Sequence, residues 1–407
     1  MPAQNTTSSY GSVTKGFHWL SALLLISAFL LGLIANDLAH EIQSPGFDGS
    51  DATLSRAVLL FSIHKTIGVA AFFTGLGRIL WALSQPKPGL LHPENKPEAL
   101  AAEVVHWLLY GAMVATPLTG WIHHAASTGF APIWWPFGQE LPFVAKSDAT
   151  AALFGTLHWI STQTLMVTFG LHVTGALKHA VVDRDATLRR MLPGTTEAGT
   201  PHHSNKAVPF IAAIVLWAVA LGIGSGLGLY KAHGETTDRA TLEKVQSDWS
   251  VQSGTLALSI TQFGSEVTGQ FEDWTAQITY APREGPGSHG NVRAVISIGS
   301  LTLGSVTGQA LGPDFFDANT HPTAEFIADL IYQADGYTAE GTLTIRGVEV
   351  PVVMPFELAI EDDVAEMTGR LLLDRRAFNI GDNMPDESSL AFAVNVDVTL
   401  TAKRETP

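Results

Sequence analysis

Five histidines stand inside long apolar runs: His18, His64, His106, His158 and His172. Ionisable rings are costly in hydrocarbon, so those found there suggest chemistry by default. His158 and His172 share one run, fourteen residues apart. On an α-helix that spacing is a rise of about 21 Å and a rotation within roughly 40° of whole turns. The two rings then share a face, one towards each end. His18 opens the first apolar run and His64 comes early in the second. Matching by depth pairs His18 with His172 and His64 with His158. Two neutral imidazoles facing each other across a helical bundle are what bis-histidine haem ligation requires. The pairs therefore predict two b-type haems. The alternative, a histidine-lined metal or proton path, needs no pairing between separate helices. Gly68, one turn after His64, and Gly170 and Gly175, flanking His172, would let a flat macrocycle approach the backbone.

The elements that must position these rings are membrane helices. About 20 apolar residues cross a bilayer, and a single span must satisfy its own backbone, which favours a helix. Residues 17–34, 104–122, 151–177 and 207–230 contain no Asp, Glu, Lys or Arg, while 57–83 contains only Lys65 and Arg78. Lys15, Arg78, Lys87, Lys96, Lys178, Arg184, Arg189, Arg190 and Lys206 fall on one side of these spans. Asp37, Glu41, Asp48, Asp51, Glu140 and Asp148 fall on the other, with Arg56, Lys65 and Lys146. The excess of positive charge puts the N-terminus in the cytoplasm and everything after residue 230 outside. His123, His124 and His179 lie at span ends, His202 and His203 in a solvated linker, and Trp134 and Trp135 read as interfacial anchors.

The chain has 407 residues, a net charge of −15 and no cysteine. Disulfides, thiolate metal sites, iron–sulfur clusters and covalently attached haem are thereby excluded. Residues 1–239 carry 14 basic and 14 acidic side chains, whereas 240–407 carry 9 and 24. The second part is an acidic, soluble body for which nucleic acid is not an expected partner.

The four histidine-bearing spans and their loops resemble the bacterial cytochrome b561 family of membrane di-haem proteins. The matching pieces are "FHWLSALLL", "SIHKTIGV", "VVHWLLYGAMVATPLTGW", "IWWPFGQELP" and "GLHVTGALKHAVVDRDATLRRMLP", in that order. The resemblance implies that His18, His64, His158 and His172 are the axial ligands of two haems b, in agreement with the depth pairing. It suggests Arg78 as a propionate partner and His106 as a propionate or quinone neighbour. It also implies electron exchange with the ubiquinone/ubiquinol pool, and some family members draw electrons from superoxide at the outer face.

After the fifth span the rhythm becomes period two. Val348, Val350, Val352, Met354, Phe356, Leu358 and Ile360 alternate with mostly polar neighbours, as do Leu390, Phe392, Val394, Val396, Val398 and Leu400. Seven or eight such strands predict an antiparallel sandwich or barrel, and a closed barrel of about eight strands can enclose a ligand or be filled by its own side chains. "FFDANTHPTAEFIA", "GTLTIRGVEVPVVMPFEL" and "LLLDRRAFNIG" resemble the YceI family of lipocalin-like periplasmic barrels. That likeness implies a bound polyisoprenoid lipid or isoprenoid quinone, and pairing of barrels into a homodimer. Phe326, Tyr332, Phe356 and Phe392 are the large inward candidates to touch it.

The expected organisation is a multidomain membrane protein of the bacterial inner membrane. An all-α four-helix di-haem bundle (residues 10–193) leads through a cytoplasmic linker (194–206) to a fifth, tethering helix (207–230). A second linker (231–246) precedes an all-β antiparallel lipocalin-like barrel (247–403) in the periplasm. The expected function is electron transfer between the quinone pool and a periplasmic partner. Two other readings stand beside it: an isoprenoid carrier with the cytochrome as redox-sensing anchor, and a cytochrome subunit for a separate dehydrogenase. No NAD or flavin motif makes the chain a complete dehydrogenase.

Overall fold

A computed structural model describes residues 2–405 except 43, 45, 46, 48, 49, 93, 128–130, 198–206, 231–239, 244–246, 334 and 335. His202, His203, Lys206 and much of both expected linkers lie outside the described residues. Two compact units divide the chain. One comprises Met1–Asn36, Leu59–Ala126 and Pro132–Ala232; the other comprises Asp37–Val58, Ser127–Ala131 and His233–Pro407.

Five helices carry the apolar runs: α1 (Ser12–Ile42), α2 (Asp51–Ser84), α3 (Lys96–Ala126), α4 (Asp148–Lys178) and α5 (Ala207–Gly226). Each is long and apolar enough to cross a membrane. The first four extend past the apolar cores because their polar flanks also form helix. α5 stops short of residue 230: the glycine-rich run "GIGSGLG" is a poor helix former, and Gly228 turns the chain at φ 73°. Ser147 caps α4, its Oγ accepting from the Thr150 amide, which satisfies an otherwise unpaired N–H. The helices turn large apolar side chains outward, among them Leu23, Leu33, Val167 and Leu171. That is the arrangement lipid requires. The ammonium of buried Lys15 donates to the carbonyls of Leu192 and Gly194 at 2.8 and 2.7 Å, fastening the start of α1 to the chain after α4. α5 packs into the same unit. Phe210 meets Trp107 edge-on at 5.0 Å, and the small Gly111 and Gly224 admit the Trp217 ring and the Ile160 side chain, as small residues do between membrane helices.

The strands of the second unit are β1 (Trp249–Gln262), β2 (Ser265–Phe271), β3 (Trp274–Tyr280), β4 (Gly287–Ser297), β5 (Leu301–Thr302), β6 (Thr323–Gln333), β7 (Gly336–Ile345), β8 (Val348–Glu361), β9 (Val364–Asp374) and β10 (Leu390–Arg404). They form one antiparallel sheet in the order β3-β4-β6-β7-β8-β9-β10-β1-β2-β5. There are ten strands where seven or eight were expected; the two-residue β5 is too short for alternation to reveal. Tight turns set the register: Arg346 and Gly347 link β7 to β8 with φ 53° and 73°, the left-handed pair that a two-residue hairpin demands. The sheet curls until the start of β1 meets β3. There Ser247 Oγ accepts the Ile278 amide at 2.6 Å and the Trp249 indole donates to the Tyr280 carbonyl at 3.4 Å. A short helix, α6 (Thr307–Leu311), packs Ala310 against Leu258, Val267, Leu301 and Leu303.

Candidate functional site

In the helical unit, His18 of α1 and His172 of α4 come together with ring centroids 6.0 Å apart. They line one small cavity with Arg78 of α2 and His106 and Tyr110 of α3, so all four helices contribute. A metal–imidazole bond of about 2 Å, plus about 1 Å from nitrogen to ring centre on each side, places the centroids of two axial histidines about 6 Å apart. The His18–His172 spacing fits that requirement. His106 stands beside the pair: its ring packs edge-on against His172 at 5.1 Å, and its Nδ1–H donates to Ala102 O of its own helix at 2.6 Å. The Arg78 guanidinium lies over the Tyr110 ring, 5.6 Å from its centroid.

The second layer is built as a repeat. His64 Nδ1–H of α2 donates to Ala28 O of α1 at 2.8 Å, and His158 Nδ1–H of α4 donates to Thr116 O of α3 at 2.8 Å. A carbonyl only accepts, so each bond fixes the tautomer and leaves Nε2 with a lone pair, as a metal-binding imidazole needs. One turn beyond each carbonyl stands a glycine, Gly32 or Gly120. A Cβ at either would lie 2.9 Å from the imidazole, a contact that real Cβ atoms do not make. Gly32 and Gly120 were missed in the sequence. Their signal was a glycine at the depth of the histidine on the neighbouring helix, whereas Gly68, Gly170 and Gly175 border open space in which a Cβ would meet nothing within 4 Å.

At the helix ends, His123 Nδ1–H donates to Ala151 O at 2.7 Å and its ring meets that of His124 at 4.7 Å. Trp134 and Trp135 are exposed. Past α4, His179 stacks on His92 and both bond to the Asp185 carboxylate, at 2.7 and 3.0 Å. Burial pushes the Asp185 carboxyl up, but the Thr187 amide and hydroxyl and the His179 ring outweigh it and hold the group down at about 2. Glu98, His179 and Asp183 converge nearby. The Lys178 ammonium bonds to Glu98 and, at 2.9 Å, to Asp183, which makes this an ion-pair network.

The curled sheet encloses a cavity of about 280 Å³ lined almost wholly by apolar side chains, including Leu256, Ile278, Phe326, Met354, Phe356 and Val396. Phe326 and Phe356 line it as expected. Tyr332 instead joins an aromatic cluster with His289 and Tyr337. Phe392 is the exception to the expected alternation. Ile260 pairs with Val394 but Gln262 pairs with Leu390, a register shift in β10, and a bulge of this kind re-aims side chains. Phe392 lies under the Arg376 guanidinium, 3.9 Å from its centroid, and is not among the lining residues.

Apolar spans that gather paired histidines between them define a membrane protein built to hold a cofactor inside a helical bundle, and here the same chain carries a hollow β-barrel. Residues 9–194 match the family described as "Prokaryotic cytochrome b561", and residues 242–403 match the "YceI-like domain". The chain belongs to the prokaryotic cytochrome b561 family and bears a YceI-like domain after its helices. It is similar to Cytochrome b561 homolog 2 of Escherichia coli K12, 31% identical over 192 residues that are 47% of this chain and 95% of that protein. It is also similar to the Probable superoxide oxidase CybB of Yersinia pestis, 30% identical over 45% of this chain and 96% of that one. Among solved structures, BcnA of Burkholderia cenocepacia is 29% identical, with a TM-score of 0.35 over 37% of this chain and 96% of that chain. Membership of the cytochrome b561 family implies haem b.

Proposed function

We propose that this protein carries electrons across the bacterial inner membrane between the quinone pool and a partner on the periplasmic side, through two haems b. The observation that carries the reading is the two-layer arrangement of histidines, with His18 and His172 at 6.0 Å and His64 and His158 each anchored through Nδ1. His18 and His172 would hold one haem, and His64 and His158 the other. When bound, such a group supplies one-electron redox chemistry. The chain's own residues do the rest. Fourteen residues of α4 set the two layers about 21 Å apart along the membrane normal. The Ala28 and Thr116 carbonyls hold the second-layer imidazoles in the ligating tautomer. Arg78 would offer a cation to a propionate, and His106, which lines the same cavity, would exchange a proton with a quinol. The charge asymmetry favours the Arg78 end of the bundle in the cytoplasm and the barrel in the periplasm, where its apolar cavity would hold an isoprenoid quinone or polyisoprenoid.

Purified protein in proteoliposomes enclosing an electron acceptor tests this. Ubiquinol added to one face should reduce the haems and pass electrons across. Substituting His64 or His172 by Ala should abolish the crossing. Crossing that survives either substitution would contradict the reading. The size and apolarity of the barrel cavity favour a second reading, an isoprenoid carrier whose cytochrome is a redox-sensing anchor. In that case, lipid binding would change with haem oxidation state while no current crossed the membrane.

A further inference from the structure

Behind Tyr280, which lines the apolar cavity, stands a cluster of buried polar groups. His289 of β4 is 4% exposed. Its ring stands 5.3 Å from Tyr332, 5.9 Å from Tyr337 and 6.2 Å from Tyr280. Tyr280 lines the cavity, and Tyr337 stacks at 5.4 Å on Phe356, which also lines it. His289 Nε2 lies 3.1 Å from Gly285 O. A carbonyl only accepts, so the proton of the neutral ring sits on Nε2 and Nδ1 presents a lone pair. That Nδ1 is buried with no hydrogen-bond partner among the described residues, a deficit that native structures seldom leave without a reason. Beside it, the Tyr280 and Tyr337 hydroxyls bond to each other at 2.9 Å. Two hydroxyls sharing one bond leave one O–H free to donate. The site thus offers one acceptor and one donor.

The cavity's charge is equally informative. Arg375 is the one charged residue lining it among those described. Its five N–H groups are spent on five backbone carbonyls, those of Ala391, Ile380, Gly381, Met384 and Leu390, at 2.5–3.1 Å. A guanidinium has five donors, so none remains for a phosphate or carboxylate.

We propose that the barrel seats the hydroxyl of an uncharged isoprenoid alcohol, phenol or quinol between His289 and the Tyr280–Tyr337 pair, and so selects the reduced form of a quinone over the oxidised one. A hydroxyl donates to Nδ1 and accepts from the tyrosine. A quinone carbonyl can only accept, and would set its oxygen against the Nδ1 lone pair. A phosphate head would bring charge into a cavity with no free cation. The inference rests on the reading that the barrel holds an isoprenoid, and adds which head it holds and where.

The test is displacement of tritiated geranylgeraniol from the full-length protein in detergent by decylubiquinol, decylubiquinone, geranylgeranyl phosphate and squalene. The quinol should bind about tenfold more tightly than the quinone, the scale of one unmatched buried polar group, and the phosphate should compete more weakly than the alcohol itself. His289→Leu should bring quinol and quinone to parity. Tyr337→Phe, which keeps the ring against Phe356, should weaken quinol and quinone alike, leaving both the preference and the affinity for squalene unchanged. A quinone that binds as tightly as the quinol, a phosphate that outcompetes the alcohol, or variants that weaken squalene equally would overturn the proposal and leave an isoprenoid-binding barrel standing. If neither geranylgeraniol nor squalene binds, the barrel reading falls, and this proposal with it.

Discussion

The two units of this chain invert each other. The helical unit turns its apolar side chains outward and collects His18, Arg78, His106 and His172 around an internal cavity. The barrel turns apolar side chains inward around a cavity of about 280 Å³ and belongs to the part of the chain with 24 acidic against 9 basic residues. In lipid a few polar atoms are the exception and do the specifying; in water the exception is a hollow apolar interior. The bundle's chemistry therefore resides in single atoms, while that of the barrel resides in volume, with one buried polar cluster beside it.

That contrast can be broken at either side. The largest effect is expected from Gly120→Leu or Gly32→Leu. On the proposed two-haem reading, either should remove the haem assigned to His64 and His158 while the other haem and the barrel persist, as read by haem content per chain and by the near-ultraviolet dichroism of the barrel. Next comes Arg375→Met, which strands five carbonyls in the barrel wall and should cost about 3–5 kcal/mol. Hydrogen exchange in residues 375–391 should rise while the haem spectrum stays unchanged.

A smaller, pH-dependent effect belongs to Asp185. Its carboxyl is lowered from 3.8 to about 2, so its stabilising contribution is present above pH 4 and is lost as pH falls through 2. The stability gap between wild type and Asp185→Asn should close as pH falls from 4 towards 2, and should narrow again above the ordinary histidine range as His92, whose pKa Glu94 and Asp185 raise, loses its proton, as followed by tryptophan fluorescence. The smallest effect is expected at Arg293→Ala. The guanidinium meets Glu325 at 2.5 Å with more than half its surface in solvent, and exposed pairs of this kind contribute under about 1 kcal/mol. Chemical denaturation of the barrel should scarcely register it.

The helical unit was the more legible in the sequence because its information is sparse and contrasting. Histidines in long apolar runs with little or no charge announce themselves, and the period of the helix assigns them depth. What escaped was whatever lacks contrast, such as Gly32 among leucines, and whatever depends on tertiary approach, such as the Asp185 carboxylate meeting both His92 and His179. In the barrel, alternation revealed the long strands β8 and β10 and their inward residues. The β10 register shift that removes Phe392 from the lining leaves no mark in an alternating run. His289 sits in a stretch of glycine and serine, "GPGSHGN", that reads as a loop. Only the fold brings Tyr280, Tyr332 and Tyr337 around it.

The most direct measurement is haem content by pyridine haemochromogen, with low-temperature spectra, on wild type and on His158→Ala and His172→Ala. Two haems per chain, with a different one lost in each variant, is the expected result. A single haem per chain, or variants that both keep the full complement, would contradict the two-layer assignment.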